Sequence, residues 1–133
     1  MKTNLKVYDK HVAFWGSAFS NFYPCSFTEE GKVWKNSEQC FMAKKAEYFK
    51  DMEILEEILK AETPEKAKKL GRKVKNFDAE KWSKVCFDKM YDAVYAKFSQ
   101  NNDLKKLRLF SHKTLFAIFP YFSILCKTTG VKI

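Results

Sequence analysis

The segment that decides the fold reads Val33-Trp34-Lys35-Asn36-Ser37-Glu38-Gln39-Cys40-Phe41-Met42-Ala43-Lys44-Lys45. Short stretches with strand-forming residues precede it, and after Asn36 an apolar face of Phe41, Tyr48 and Phe49 follows at roughly helical spacing. Asn36 or Ser37 is a suitable N-cap, and Gln39 stands three residues after Asn36 in a capping-box arrangement. The segment therefore predicts the boundary between a small N-terminal β-sheet and a mainly helical remainder.

The residues before this boundary indicate short strands joined by turns. Val7 and Phe14-Trp15 lie among strand-forming residues, Pro24 marks a turn, and Lys32-Val33-Trp34 is expected to be a second edge. Residues 14–24 are also rich in rings and amides. Such a segment is either a hairpin turn or a clamp for a flat, polar ligand.

Three further helices are predicted from their start signals. Asp51 caps the first of them, whose apolar stripe is Ile54, Leu55, Ile58 and Leu59. Thr63-Pro64-Glu65 begins the next, and Gly71 marks either its end or a tight backbone approach. Asp78 begins the longest, whose predicted core face is Trp82, Val85, Cys86, Met90, Ala93, Val94 and Phe98. The sequence thus predicts an α+β, mainly helical domain over residues 1–133.

Composition excludes several classes of protein. With 133 residues and 46% apolar residues, the chain is one folded domain rather than a disordered one. The four cysteines form no C-x-x-C pair, and charged residues follow the first Met, so a reduced, cytoplasmic protein is expected. The dense apolar run from Leu115 to Cys126 is too short to span a bilayer, so no membrane partner is expected.

The net charge of +9 does not describe a uniform basic surface. After Asp103 there are six Lys or Arg and no Asp or Glu, which leaves a net charge of +3 for the first 103 residues. A nucleic-acid-binding function that uses this basic tail is therefore the least favoured.

Two residues of the segment that decides the fold, Glu38 and Lys45, carry groups that are suited to catalysis. Glu38 in the first helical turn either offsets the helix dipole or serves as an ionised carboxylate that stabilises developing positive charge. Lys45 lies two turns further along the same face. It is either solvated, as most such lysines are, or a nucleophile whose pKa is lowered from about 10.4 by burial or neighbours.

Other side chains allow similar alternatives. Trp82 suits core packing or stacking on a ligand, and Arg72 suits the surface or a phosphate. His11 and His112 have no metal-ligand spacing, and the sequence contains no P-loop, dinucleotide fingerprint or nucleophile elbow.

The ordered motifs resemble the NADAR (YbiA-like) family. The resemblance covers about residues 13–110 and rests on Phe14-Trp15, Ser20-Asn21-Phe22-Tyr23-Pro24, Ser37-Glu38-Gln39-Cys40-Phe41-Met42-Ala43-Lys44-Lys45, Ala67-Lys68-Lys69-Leu70-Gly71-Arg72, Trp82, Met90 and Lys97-Phe98-Ser99-Gln100-Asn101. It implies an N-glycosidase that hydrolyses the bond between ribose C1 and a nitrogen. The implied substrates are phosphorylated ribosylamino-pyrimidines of riboflavin synthesis or an ADP-ribosylated nucleobase, including one in nucleic acid.

The resemblance also implies roles for individual residues. Glu38 matches an essential glutamate, and Lys45 matches a lysine able to attack C1 and form a Schiff base. Trp82 matches a tryptophan whose ring is suited to stacking on the base or shaping the pocket. No metal or other cofactor is implied. The implied substrate-binding residues are Trp15, Gly16, Asn21, Phe22, Gly71 and Arg72.

The C-terminus departs from the family pattern. Family members usually end in an E-x-S-P-x-D-x-x-W-G-x-G segment with a catalytic aspartate. When Pro120 is aligned with the proline of that segment, Ala117 replaces the glutamate, Phe122 the aspartate and Leu125 the tryptophan. A shifted reading frame or a lineage-specific replacement would produce this atypical tail, residues 111–133. The alternative function is therefore a catalytically impaired module that binds ADP-ribose or another nucleotide.

Overall fold

A computed structural model describes residues 20–105 in full and the backbone of residues 6–7 and 12–13. Its elements are strands β1 (Lys6–Val7), β2 (Val12–Ala13), β3 (Phe27–Glu29) and β4 (Lys32–Trp34), followed by helices α1 (Ser37–Tyr48), α2 (Met52–Leu59), α3 (Pro64–Gly71) and α4 (Ala79–Gln100). The predicted α+β, mainly helical fold is confirmed. Trp15, Gly16 and the tail that contains Phe122 lie outside the described residues.

The strands form two separate antiparallel pairs. In one pair Lys6 faces Ala13, and in the other Phe27 faces Trp34. The predicted edge at residues 32–34 is confirmed as β4. Glu30 and Gly31 join β3 to β4 with φ angles of 50° and 73°, which is the left-handed backbone that a two-residue hairpin turn of type I′ requires.

Helix α1 lies at the centre of the fold. Ser37 to Ala46 are all buried, and the helix packs against α2, α3, α4 and β4. The Asn36 side chain accepts a hydrogen bond from the backbone N–H of Gln39 at 2.8 Å, which confirms the predicted N-cap. Because the Gln39 amide oxygen accepts from the N–H of Lys35 at 3.0 Å, the reciprocal bond closes one residue before the cap.

The other helix starts also agree with the sequence. Asp51, Thr63 and Asp78 each accept a hydrogen bond from the N–H three residues on. The core face of α4 is confirmed, with Val85 and Val94 only partly buried. Two predictions of buried residues are wrong, since Leu59 is 37% and Tyr48 38% exposed. Both residues end their helices, where the neighbouring elements no longer cover them.

An ion pair of the buried Lys44 joins the β3–β4 hairpin to α1. The Lys44 ammonium lies 2.7 Å from a carboxylate oxygen of Glu29 and 3.6 Å from one of Glu30. Burial alone would lower the pKa of Lys44, but the hydrogen bond and negative charge of Glu29 outweigh it and raise the pKa. The charge is therefore retained, and it fixes the hairpin beside the helix.

Gly71, the last residue of α3, lies close to α1. A Cβ at this position would overlap the sulfur of Met42 and lie 2.9 Å from its Cγ. Met42 is fully buried, so its side chain has no room to move away. Gly71 is thus required by helix packing, which matches the sequence expectation of a tight approach.

Gly71→Ala is expected to destabilise the protein by about 1–3 kcal/mol, because the clash exceeds the roughly 1 kcal/mol of helix propensity that alanine gains. In a Met42→Ala background the same substitution should cost almost nothing. Urea denaturation of the four proteins in this cycle measures both values. An equal loss in the two backgrounds would show that the contact with Met42 is not the cause.

Candidate active site

Two ionisable side chains of α1 are removed from water. Glu38 is 0% and Lys45 1% exposed, and their spacing of seven residues places them on one face of the helix. Within residues 20–105, neither carboxylate oxygen of Glu38 receives a hydrogen bond. Buried polar atoms in native proteins almost always have a partner, so this carboxyl group calls for an explanation.

Burial dominates the protonation of Glu38. It raises the pKa of the carboxyl group from 4.5 to about 7, against the opposing positive charges of Lys68, Arg72 and Lys45. At pH 7 the carboxyl group is therefore only about half ionised, whereas the sequence interpretation expected it to be fully ionised at the helix N-terminus. A helix dipole contributes only about 0.3–1 kcal/mol to a nearby charge, which is less than the desolvation of a fully buried carboxylate.

The pKa of Lys45 is shifted downward, whereas that of Glu38 is raised. Burial, together with the positive charge of Arg72, lowers the pKa of its ammonium from 10.5 to about 8, although Glu38 opposes the change. Its Nζ lies 4.3 Å from the ring centroid of Phe77. Of the two alternatives for Lys45, the solvated lysine is wrong, because residues 37–46 of α1 are all buried.

The turn from Ser20 to Tyr23 covers the first turn of α1. The carbonyl oxygen of Asn21 accepts a hydrogen bond from the backbone N–H of Glu38 at 3.1 Å. The Asn21 side-chain oxygen accepts one from the Ser37 hydroxyl at 3.0 Å. The Asn21 side chain therefore bonds to Ser37, and its contact with Glu38 is through the backbone.

Helix α3 and its C-cap residue bring two positive charges near Glu38. Lys68 and Arg72 are one helical turn apart, and the charges of both act on Glu38. Lys68 is half-buried, with its ammonium 5.7 Å from the Phe22 ring centroid, whereas Arg72 is exposed. The structure thus brings together Glu38, Lys45, Asn21, Phe22 and Arg72 from the predicted site residues.

Trp82 and Gly71 have contacts typical of packing residues. The Trp82 indole is fully buried, with ring centroids of Phe41, Tyr48 and Phe49 at 5.5, 6.0 and 6.0 Å. Its Nε1 has no hydrogen-bond partner among the described residues. Stacking of Trp82 on a substrate stays a prediction, as do the roles of Trp15 and Gly16.

The family model of the NADAR domain matches residues 10–117. The chain belongs to the NADAR family. It is 36% identical over 126 residues to the N-glycosidase R617 of Acanthamoeba polyphaga mimivirus, covering 84% of this chain and 74% of that protein. It is 35% identical over 91 residues to the N-glycosidase YbiA of Escherichia coli, covering 68% and 55%. It is also 33% identical over 106 residues to a riboflavin biosynthesis protein of Vibrio vulnificus, covering 73% and 28%.

The extent of these matches differs between the relatives. This NADAR chain spans just over half of YbiA and little more than a quarter of the Vibrio protein. The relatives named N-glycosidase indicate glycosidase chemistry at the level of the family.

Two lysines of this NADAR domain were missed as site residues by sequence reasoning. Lys68 lies four residues before Arg72, and that spacing is a signal for a shared helix face. Lys97 is 1% exposed in α4, and burial lowers its pKa to about 8. The sequence indicates this burial only weakly, because a lysine such as Lys97, between the core residues Ala96 and Phe98, is usually expected to point to solvent.

Two negative findings concern the described part of the chain. None of its helices has the length and apolarity to cross a membrane. No group of three or more His, Cys, Asp or Glu side chains within it has an arrangement that could hold a metal ion.

Glu38→Gln is expected to raise the free energy of unfolding at pH 8 by up to about 3 kcal/mol, and to change it little at pH 4. The carboxyl group ionises near pH 4.5 in the unfolded chain and near pH 7 in the folded one. Wild-type stability therefore falls as pH rises through this window, and glutamine removes that loss. Chemical denaturation at both pH values measures the effect.

Glu53→Gln is the matched control, since the Glu53 side chain is 83% exposed and pairs only with the exposed Lys75 in the described part of the chain. It should change stability little at either pH. Equal effects of Glu38→Gln at pH 4 and pH 8 would contradict the raised pKa.

Proposed function

We propose that this protein is an N-glycosidase that cleaves the bond between ribose C1 and a nitrogen in a phosphorylated, nucleotide-like molecule. The observation that carries the proposal is the buried Glu38 carboxyl group, unbonded within the described residues, beside a lysine of lowered pKa. Strongly perturbed ionisable groups that act on each other are typical of catalytic sites. The names of two relatives support the same chemistry.

Burial reduces the difference between the pKa values of Glu38 and Lys45. In water a carboxyl group and an ammonium group differ by about 6 pKa units, so a proton on the acid and a neutral amine coexist only at a cost of about 8 kcal/mol. With values of about 7 and about 8, the same protonation state costs only about 1–2 kcal/mol. An acid and a nucleophile are then available together at neutral pH.

This protonation state suits a two-step displacement. The neutral amine of Lys45 attacks ribose C1, and the C1–N bond breaks as the leaving nitrogen takes a proton from Glu38. The resulting carboxylate stabilises the positive charge that develops at C1. The ribose ring oxygen takes a proton from the new secondary ammonium as its bond to C1 breaks, which gives a protonated Schiff base. Water that loses a proton to Glu38 adds to C1, and breaking of the C1–N bond with transfer of the hydroxyl proton to nitrogen releases the sugar as an aldehyde and regenerates the amine.

The positive charges of α3 support a phosphorylated substrate. Lys68 and Arg72 lie at the same side of Glu38, and guanidinium groups pair well with phosphate oxygens. The name of the Vibrio relative favours a ribosylamino-pyrimidine phosphate as the first substrate to test, and an ADP-ribosylated nucleobase as the second. Cys25, Cys40 and Cys86 carry thiols rather than disulfides, which fits a cytoplasmic location.

A second candidate function is a module that binds such a nucleotide without cleaving it. One observation favours it: no Asp or Glu follows Asp103, so residues 104–133 provide no second carboxylate. Loss of one acid or base group typically slows a reaction by about 10²–10⁴-fold. Calorimetry with ADP-ribose, alongside the activity assay, separates binding without turnover from the glycosidase.

Purified protein is expected to release the base from a ribosylamino-pyrimidine phosphate or from ADP-ribosylated guanine in DNA. Glu38→Gln and Lys45→Met should each lower kcat by about 10²-fold or more, because each removes a group that takes part in bond breaking. Borohydride reduction during turnover should add the sugar phosphate covalently to Lys45, detected by peptide mass. Lys66→Met, at an exposed lysine of α3, is the control and should keep full activity.

The pH dependence gives a second readout for the same experiment. Glu38 must hold its proton and Lys45 must have lost its own, so the rate should fall above about pH 8 and below about pH 7. Absence of base release from both substrates, under conditions where a full-length relative is active, would exclude the glycosidase.

Arg72→Met is expected to raise KM for a phosphorylated substrate about tenfold or more while leaving kcat within a few-fold, because a guanidinium–phosphate pair contributes roughly 1.5–3 kcal/mol. The substrate lacking its phosphate should show little difference between the two proteins. Steady-state kinetics on the substrate pair measures this. An equal loss on both substrates would place Arg72 elsewhere than at the phosphate.

A further inference from the structure

Lys97 is a buried cation to which the proposed reaction assigns no role. It lies in the last turn of α4 and is 1% exposed. Its Nζ donates a hydrogen bond to the carbonyl oxygen of Ser20 at 2.8 Å and lies 5.5 and 5.3 Å from the ring centroids of Tyr23 and Phe98. No carboxylate within residues 20–105 forms an ion pair with it.

This arrangement is unfavourable for an ordinary core position. A buried ammonium group without a carboxylate loses most of its hydration, and one carbonyl and two rings replace only part of it. Burial accordingly lowers the pKa of Lys97 to about 8, with the thiol of Cys25 acting in the opposite direction. An apolar side chain of similar length, such as methionine, would fill the same space without that cost.

The carbonyl group that binds Lys97 belongs to Ser20, the neighbour of the residue that contacts Glu38. The Ser20 carbonyl oxygen accepts from Lys97 and also from the backbone N–H of Tyr23 at 3.1 Å. The next residue, Asn21, accepts from the Glu38 N–H at 3.1 Å and from the Ser37 hydroxyl at 3.0 Å. A continuous series of hydrogen bonds thus runs from the end of α4, through the Ser20–Tyr23 turn, to the start of α1.

The residues after Lys97 hold a different segment. The Gln100 side chain accepts from the backbone N–H of Thr28 at 2.7 Å and donates to its carbonyl, and Asn101 donates to the carbonyl of Ser26 at 3.2 Å. These bonds attach β3 and the residue before it to α4. Among these three side chains, only Lys97 reaches the turn that contacts Glu38, so its effect can be separated from general attachment of the N-terminal strands.

We propose that Lys97 is a positioning residue, whose ammonium group fixes the Ser20–Tyr23 turn against the first turn of α1 and thereby fixes the Glu38 carboxyl group. The catalytic part of this inference rests on the proposed function. The structural part does not, because it concerns only the turn and the helix start. Lys97 itself contacts no reacting atom in this proposal.

Hydrogen exchange tests the structural part without any substrate. Lys97→Met should speed the exchange of the Glu38 and Tyr23 amides by about tenfold or more, because their acceptors belong to the released turn. Amides in the middle of α4 should stay unchanged. Lys84→Met is the matched control on the same helix, since the Lys84 side chain is 71% exposed, and it should alter neither set.

Kinetics test the catalytic part. Lys97→Met should lower kcat by an amount on the order of 10²-fold, as expected for a misplaced catalytic group, with KM changed by less than threefold. The midpoint of thermal unfolding should not fall, since methionine suits the apolar site. If Lys97→Met does not fold, Lys97→Gln is measured in the same way, and its neutral donor should give a smaller change of the same sign.

A double-mutant cycle with Ser37→Ala shows whether Lys97 acts through the turn. Both substitutions release Asn21, so their effects on kcat should be clearly less than additive. Unchanged exchange at Glu38, or additive effects on kcat, would overturn the positioning role. A wild-type protein that releases no base overturns the proposed function instead, and the exchange result then still decides the position of the turn.

Discussion

The structure depends on the burial of the first ten residues of α1, which include charged side chains. Helix α1 contacts every other helix, and residues 37–46 have no exposed face. An apolar helix would fill this position at less cost, since each buried charge must be desolvated. The remaining elements are arranged so that α1 can keep Glu38, Lys44 and Lys45 in the interior.

The buried charges in the described part of the chain differ in how far they are compensated. Lys44 has the carboxylate of Glu29, and the pKa of Asp51 is lowered by hydrogen bonds from the backbone N–H groups of Lys75 and Ile54. Lys97 has a carbonyl oxygen and two rings. Glu38 alone has two carboxylate oxygens without a hydrogen bond from the described residues, so its position costs stability that the others recover. Such a local cost is expected where a side chain is kept for chemistry.

The sequence predicted those parts of the fold that depend on local interactions. Asn36, Asp51, Thr63 and Asp78 were identified because an N-cap is defined by a few neighbouring residues. The exposure of Tyr48 was not predicted, because it depends on where the neighbouring elements stop.

The same limit applies to the site. Glu38 and Lys45 were selected by spacing and resemblance, but the pattern left open whether Lys45 is solvated and did not predict the raised pKa of Glu38. Both depend on burial by the helices packed against α1 rather than on α1 itself. The role proposed for Lys97 depends on a contact with a residue 77 positions earlier in the chain. No helical pattern encodes that contact.

The lowered pKa of Lys45 is relevant to catalysis without a second carboxylate from residues 104–133. Most glycosidases use two carboxyl groups, and residues 104–133 contain none. A lysine with a pKa of about 10.4 has about one neutral amine in 2,500 at pH 7, whereas one with a pKa of about 8 has about one in ten. This gain of about 250-fold falls within the 10²–10⁴-fold that a single acid or base group typically contributes. In the proposed reaction the amine replaces a carboxylate as the nucleophile, so a single glutamate of raised pKa protonates the leaving nitrogen and then activates water.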